Sequence, residues 1–194
     1  GTDFTAWYGA LGFKNVVPTA EMVDQYEATP ADHPLEIDPR FEASIFKVGD
    51  TVEIFNPEHP NYMQPFDPLI HTNGGITEGY GLKKYLYPGH YSSAYGAFLD
   101  PTNWRLIRYA DVLLMFAEAC YHENDPRGLD ALNQVRERAG LEPLSALTPE
   151  AIMHERDVEL YGECVRFVDL VRWLMLPEPW VTAEEIHPNF IEGK

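Results

Sequence analysis

The stretch RYADVLLMFAEACY, residues 108–121, decides how the chain is read. Its apolar residues recur at the three- and four-residue spacing of an α-helix, and no Gly or Pro interrupts it. Projected at about 100° per residue, Leu106, Ile107, Ala110, Leu113, Leu114 and Ala117 share one face, with Tyr109, Phe116 and Cys120 opposite. A helix that is apolar on both sides is expected to lie between two layers. Glu118 sits in its middle, so a carboxylate must be accommodated where burial is expected.

Two further helices follow. Asp125-Pro126 pairs a capping residue with Pro at the first helical position, and Ala139-Gly140 ends that helix with a residue suited to a left-handed turn. Its stripe is Leu129, Leu132, Val135 and Ala139, with Arg136 inside it. Thr148-Pro149 opens a third helix, expected to run to about Leu174. On it, Glu155, Arg156, Glu159, Glu163 and Arg166 fall within an arc of about 100° that overlaps the Ile152, Phe167 and Leu170 face. Charges of both signs thus sit among core residues, where an unpaired one would cost several kcal/mol (~2–7). Arg136, Glu118 and Asp111 are the natural partners across the helix interfaces.

Three chemistries could use such a set. A di-metal carboxylate bundle needs Glu on two helices and Glu-x-x-His on two others. Here Glu118 precedes His122 by four residues and His154 directly precedes Glu155, so the pattern fails and no metal or cofactor is expected. Paired carboxylates could hydrolyse glycosides, but they must reach a cleft. An ion-pair network that fixes helix register fits best, because Arg presents a planar fork suited to carboxylates. Glu118 then reads as a structural counter-ion, whose loss would cost about 3–5 kcal/mol.

Working outward, residues 101–194 read as a helical scaffold. Residues 1–100 hold most of the Gly and Pro, as in NPEHPNYMQPFDPLIHTNGG (56–75), and read as a loop-rich region with short strands. PTAEMVDQYE (18–27) is the one helix expected there, capped by Thr19, with Met22, Val23 and Tyr26 inward. SIFKVGDTVEIF (44–55) alternates around Gly49-Asp50 and is a possible hairpin. The loop-rich region is also the candidate ligand-binding face. Sugars are bound by aromatic faces and a few polar groups. TAWYGALGF (5–13) offers Trp7 and Tyr8, and GHYSSAYGAF (89–98) offers Tyr91 and Tyr95. Asp3, Asn15 and Asn73 are weaker polar candidates. Cys120 and Cys164 belong to no CxxC pair and read as buried free thiols.

The net charge of −17 over 194 residues argues against nucleic acid and against an anionic membrane surface. No run of 18 apolar residues, P-loop, G-x-S-x-G, HExxH or G-x-G-x-x-G occurs.

Taken in order, VVPTAEMVDQYE, DPRFEASIF, GLKKYLYP, NWRLIRYADVLLMFAEACY, ALNQVRERAGL and ERDVELYGECVRFVDLVRW resemble the C-terminal part of the SusD/RagB family. Arg108, Tyr109, Asp111, Glu118, Asn133, Arg136, Glu155, Arg156, Glu159, Leu160, Arg166, Asp169, Leu170, Arg172 and Trp173 occupy its motif positions, while Gly162-Glu163 reverses the common glutamate-glycine order. The resemblance implies a mainly α fold in which tetratricopeptide-like helices pack with an irregular, short-strand region, of which this chain is a C-terminal fragment. Apolar surface is then expected to be exposed where the absent repeats would pack. It implies a lipoprotein, anchored through the missing N-terminus on the extracellular face of the outer membrane in Bacteroidetes-type bacteria. That protein would be non-catalytic. It would capture oligosaccharides, or alternatively peptides, and pass them to a SusC-like TonB-dependent transporter.

Overall fold

The computed structural model describes residues 17–29, 36–54, 62–68, 78–85, 103 and 105–186. By internal contacts the chain divides into two units, one of residues 1–28 and 35–106 and the other of residues 29–34 and 107–194. The fold is mainly helical with a few short strands.

In the first unit, helix α1 (Ala20–Val23) is shorter than the stretch 18–27 suggested. Thr19 does cap it, its Oγ1 accepting the Met22 N–H at 3.2 Å, and Val23 and Tyr26 are buried. Helix α2 (Pro39–Ser44) starts after Asp38, which accepts the Arg40 N–H at 2.9 Å and is gripped by the Arg40 guanidinium at 2.7 Å. Asp38 and Arg40 are both buried, so the cap charge and its counter-ion leave water together. Strand β1 (Ile45–Lys47) follows without a break, then β2 (Thr51–Ile54), β3 (Tyr62–Pro65) and β4 (Tyr80–Leu82).

The 44–55 segment is not a hairpin. A tight turn forms, with Gly49 at φ 100° and the Asp50 N–H donating to the Lys47 carbonyl at 3.1 Å. The flanking strands nevertheless pair elsewhere, β1 antiparallel to β4 (Ile45 opposite Leu82) and β2 antiparallel to β3 (Thr51 opposite Pro65). The Asp50 carbonyl accepts the Phe66 N–H at 2.8 Å, which commits the chain after the turn to β3. Between the two ladders Phe46 stacks on Phe66 at 5.5 Å and Val52 completes a small core. Gly81 of β4 lies against the Phe66 ring, where a Cβ would stand 2.7 Å from it.

The second unit holds α3 (Tyr109–Glu123), α4 (Arg127–Arg138), α5 (Pro149–Glu159), α6 (Arg166–Leu174) and α7 (Ala183–Ile186). Helix α3 starts at Tyr109 rather than near Asn103, because Arg108 is extended at φ −133°, and it stops at Asn124 in the left-handed region. Leu114 and Ala117 of α3, Leu132 and Val135 of α4, Ile152 of α5, and Leu160 form the core. Gly128 allows α4 to cross α3 closely, since a Cβ there would lie 2.6 Å from that of Cys120. Asn133 pins the segment after α4 by exchanging two hydrogen bonds with the Leu144 backbone, at 3.0 and 2.8 Å.

Two expectations change. The third helix is two helices. Gly162 at φ 76° and Cys164 at φ 62° make a left-handed turn that an α-helix cannot contain, and the Glu163 N–H returns to the Leu160 carbonyl at 3.0 Å. Cys164 is in consequence exposed, whereas Cys120 is buried. Helix α3 is also not sandwiched among the described residues. Its inner face is buried, but Tyr109, Val112, Met115 and Phe116 are exposed, and so are Leu106 and Ile107 just before it.

Candidate functional site

The chemistry-bearing side chains of the second unit meet between its helices. Arg136 Nη1 of α4 donates to Glu155 Oε2 of α5 at 3.0 Å, with 3% and 0% of the two side chains exposed. Its Nε donates to the Glu142 carbonyl at 3.0 Å. Arg156, one position on, holds three elements together. Its Nε and Nη2 fork onto Asp169 of α6 at 2.7 and 3.1 Å, and its Nη1 reaches Asp111 of α3 at 3.0 Å.

Asp169 also accepts from Arg172 Nε at 2.9 Å, and Arg172 continues onto Glu118 with both terminal nitrogens, one of them at 2.7 Å. The Trp173 indole donates to the same carboxylate at 3.3 Å. Glu118 therefore sits buried beneath a guanidinium and an indole, while Arg172 keeps 36% of its side chain exposed.

A second cluster closes the entry to α3. Arg108 Nε donates to both oxygens of Glu163, at 2.9 and 2.8 Å, and Nη1 to Glu159. Arg138 grips Glu159 from α4 at 2.8 and 2.7 Å. Burial lowers the proton affinity of Arg108, but the hydrogen bonds to Glu163 and Glu159 outweigh it and hold the group above the usual guanidinium value. Arg172 behaves alike, with burial opposed by Glu118 and Asp169. Arg166 stands apart, half exposed at the surface 3.3 Å from Asp157.

This arrangement orients helices. Each carboxylate of the set accepts from at least one guanidinium, and His/Cys/Asp/Glu groups able to hold a metal ion are absent among the described residues. The sequence pointed to Arg136, Asp111 and Glu118 as partners of the charges on the expected third helix; Arg136 and Asp111 do meet Glu155 and Arg156 of that set, whereas Glu118 meets Arg172. Asp169, Arg172 and Arg138 carry much of the set, and the signal for the first two was their three-residue spacing on one helix. Their alignment with Arg156 was hidden because it depends on the left-handed turn at 162–164.

Two grooves flank α3. One, of about 670 Å³, is lined by Arg108, Tyr109, Leu113, Val135 and Arg138. The other, of about 550 Å³, is lined by Met115, Ala119, His122, Val168 and Arg172. Beyond it, Trp180 is stacked between His122 at 5.3 Å and Trp173 at 6.1 Å. The aromatic ligand candidates Trp7, Tyr8, Tyr91 and Tyr95, and the polar ones Asp3, Asn15 and Asn73, lie outside the described residues. No described helix is long and apolar enough to cross a membrane.

Comparison with known proteins matches this architecture. The chain is similar to a SusD-like protein of Bacteroides ovatus, 43% identical over 78 residues, which are 38% of this chain and 14% of that one. It is also similar to the crystal structure of a SusD-like protein from Bacteroides fragilis, with 29% identity, a TM-score of 0.69, and coverage of 88% of this chain and 38% of that one. The chain thus spans well under half the length of both relatives. The model of the SusD family matches residues 4–193, nearly the whole chain, and with the helical architecture this establishes that the protein belongs to the SusD family.

Proposed function

We propose that this chain is part of a non-catalytic binding protein that captures oligosaccharides at the bacterial outer surface and delivers them to a TonB-dependent transporter of the SusC type. The family match over residues 4–193 carries the reading. The described carboxylates support it, because those that might have done acid–base chemistry are engaged by arginines. The ion-pair set acts as scaffold, and the ligand-contacting aromatics are Trp7, Tyr8, Tyr91 and Tyr95 of the loop-rich region. Attachment to the outer membrane through a lipid anchor belongs to the same reading.

The test is a glycan array on the full-length protein beside the Trp7→Ala/Tyr8→Ala variant. Binding to one polysaccharide class, lost in the variant at unchanged Tm, supports both the role and the site. The net charge of −17 favours one rival, capture of cationic peptides. Absence of glycan binding together with binding to a basic peptide library would replace the first reading by the second. Turnover of a glycan, abolished in Glu159→Gln at unchanged Tm, would replace both by a hydrolase.

A further inference from the structure

Three described residues other than glycine have a left-handed backbone: Tyr85 at φ 64°, Asn124 at φ 54° and Cys164 at φ 62°. That backbone crowds Cβ against the following carbonyl oxygen, a cost that asparagine tolerates and a bulky side chain does not. Asn124 stands at the end of α3, where a left-handed residue stops the helix. Cys164 belongs to the turn that brings Asp169 round to Arg156. Tyr85 lies in the turn after β4, at neither a helix end nor a junction of helices. Its unit makes the other left-handed positions described there with glycine, Gly49 at φ 100° and Gly79 at φ 98°. Glycine at 85 would make the same turn without strain, so the turn itself does not call for a tyrosine.

The strained residue is firmly anchored. Leu82, at the end of β4, is buried opposite Ile45. Next along the chain, the Lys83 N–H donates to the Ser44 carbonyl at 2.8 Å. Its ammonium donates to the Glu42 carbonyl at 2.7 Å and lies 5.1 Å from the centre of the Phe46 ring. Lys83 thus ties the base of the turn to α2 and β1, two residues before Tyr85. Strained residues persist where their surroundings over-determine them, and they gather at ligand clamps. Tyr85 is only partly buried, so it keeps surface for a contact.

We infer that Tyr85 is a ligand-contacting residue whose ring packs on the apolar C–H face of an uncharged pyranose. The inference rests on the oligosaccharide-capture reading and adds to it one residue and a class of sugar. A phenol ring offers flat apolar area with a hydroxyl at its edge, which matches a sugar face of C–H groups bordered by hydroxyls. Uronates and sulfated sugars are the poorer ligands, because a charge of −17 over 194 residues repels anions. The anchored turn favours the contact, since a ring held in place beforehand loses little freedom when the sugar arrives.

The experiment measures glycan binding by the full-length protein, on an array of neutral, uronate and sulfated polysaccharides and then by titration with the chain bound best, alongside the Tm of each variant. The wild type is expected to select a neutral chain. Tyr85→Gly should bind that chain at least about tenfold more weakly, at a Tm unchanged or raised by relief of the strain. Tyr85→Phe, which keeps the ring and drops the hydroxyl, should fall between the two. Tyr85→Asn also tolerates the left-handed backbone, and reads the same loss if the glycine variant fails to fold. Wild-type affinity in Tyr85→Gly would overturn the inference and leave oligosaccharide capture standing. So would a Tm lowered in both Tyr85→Gly and Tyr85→Asn, which would make the ring a packing group, and so would wild-type binding to charged chains alone. Binding of the wild type to no glycan would overturn the inference and the capture reading together.

Discussion

The two units hold themselves together in opposite ways. In the strand-bearing unit the buried charge pair is local: Asp38 and Arg40 are two residues apart, and the pair caps one short helix. Distant segments are joined there by the β1–β4 ladder and by the Phe46–Phe66 stack against Val52. In the helical unit the charges do the long-distance joining. Arg108 reaches Glu163 across 55 residues, Arg172 reaches Glu118 across 54, and Arg156 reaches Asp111 across 45. An apolar contact tolerates some sliding, whereas a forked guanidinium accepts one geometry. The helical unit is therefore specified in register by its polar groups, and the strand unit by shape and pairing.

The sharpest way to break this contrast is at its driest pair. Glu155→Ala leaves the Arg136 guanidinium facing the lost carboxylate in a site without solvent, and should cost about 3–5 kcal/mol, read as a shift in denaturant midpoint. A loss under 1 kcal/mol would mean that the aliphatic core alone sets the register. Phe66→Ala is the matching cut in the strand unit, where loss of the stack should cost about 3–5 kcal/mol. Glu118→Ala comes next. The sequence suggested a penalty as large as that of Glu155, but Arg172 is partly exposed and can turn to water, so about 2–3 kcal/mol is expected. Gly128→Ala, which forces α3 and α4 apart at their crossing, should cost about 1–3 kcal/mol by the same measurement.

Smaller still is a pH effect. Burial pushes the Tyr161 hydroxyl above its ordinary value, so the folded protein holds that proton more tightly than the unfolded chain. Its contribution is complete below pH ~10 and is lost as the pH rises beyond that. Alkaline melting curves of Tyr161→Phe should accordingly fall less steeply than those of the wild type. At the bottom of the order, the exposed Asp125–Arg127 pair should yield no change in Tm when Arg127 is replaced by Gln.

Much of the helical unit was legible in advance because its signals are local: caps at Thr148-Pro149, a stop at Gly140, apolar stripes at helical spacing. The boundary that was missed, at 160–165, is also local in cause, yet Gly162 alone reads as a tolerated helix glycine, and it turns the chain together with the left-handed Cys164 two residues on. Strand partners were illegible for a different reason. The alternation around Gly49 marks a turn, but pairing of Ile45 with Leu82 is set by residues nearly forty positions away. As for the ligand face, aromatic residues in Gly-rich stretches such as 5–13 and 89–98 state a composition, and composition carries no geometry.

The kink at 162–164 has one more consequence, for how the gene can vary. A continuous helix over 149–174 would be a rod of about 39 Å, and Arg156 and Asp169 would be fixed on it some 20 Å apart. Folding the rod turns it into a jaw that closes both ends on one guanidinium. A single inserted or deleted codon inside α6 before Asp169 would rotate that carboxylate by about 100° and open the jaw, whereas the exposed segment at 145–146 has no such tooth to miss. Length changes in this half of the protein should therefore be tolerated around 145–146 and selected against just before Asp169.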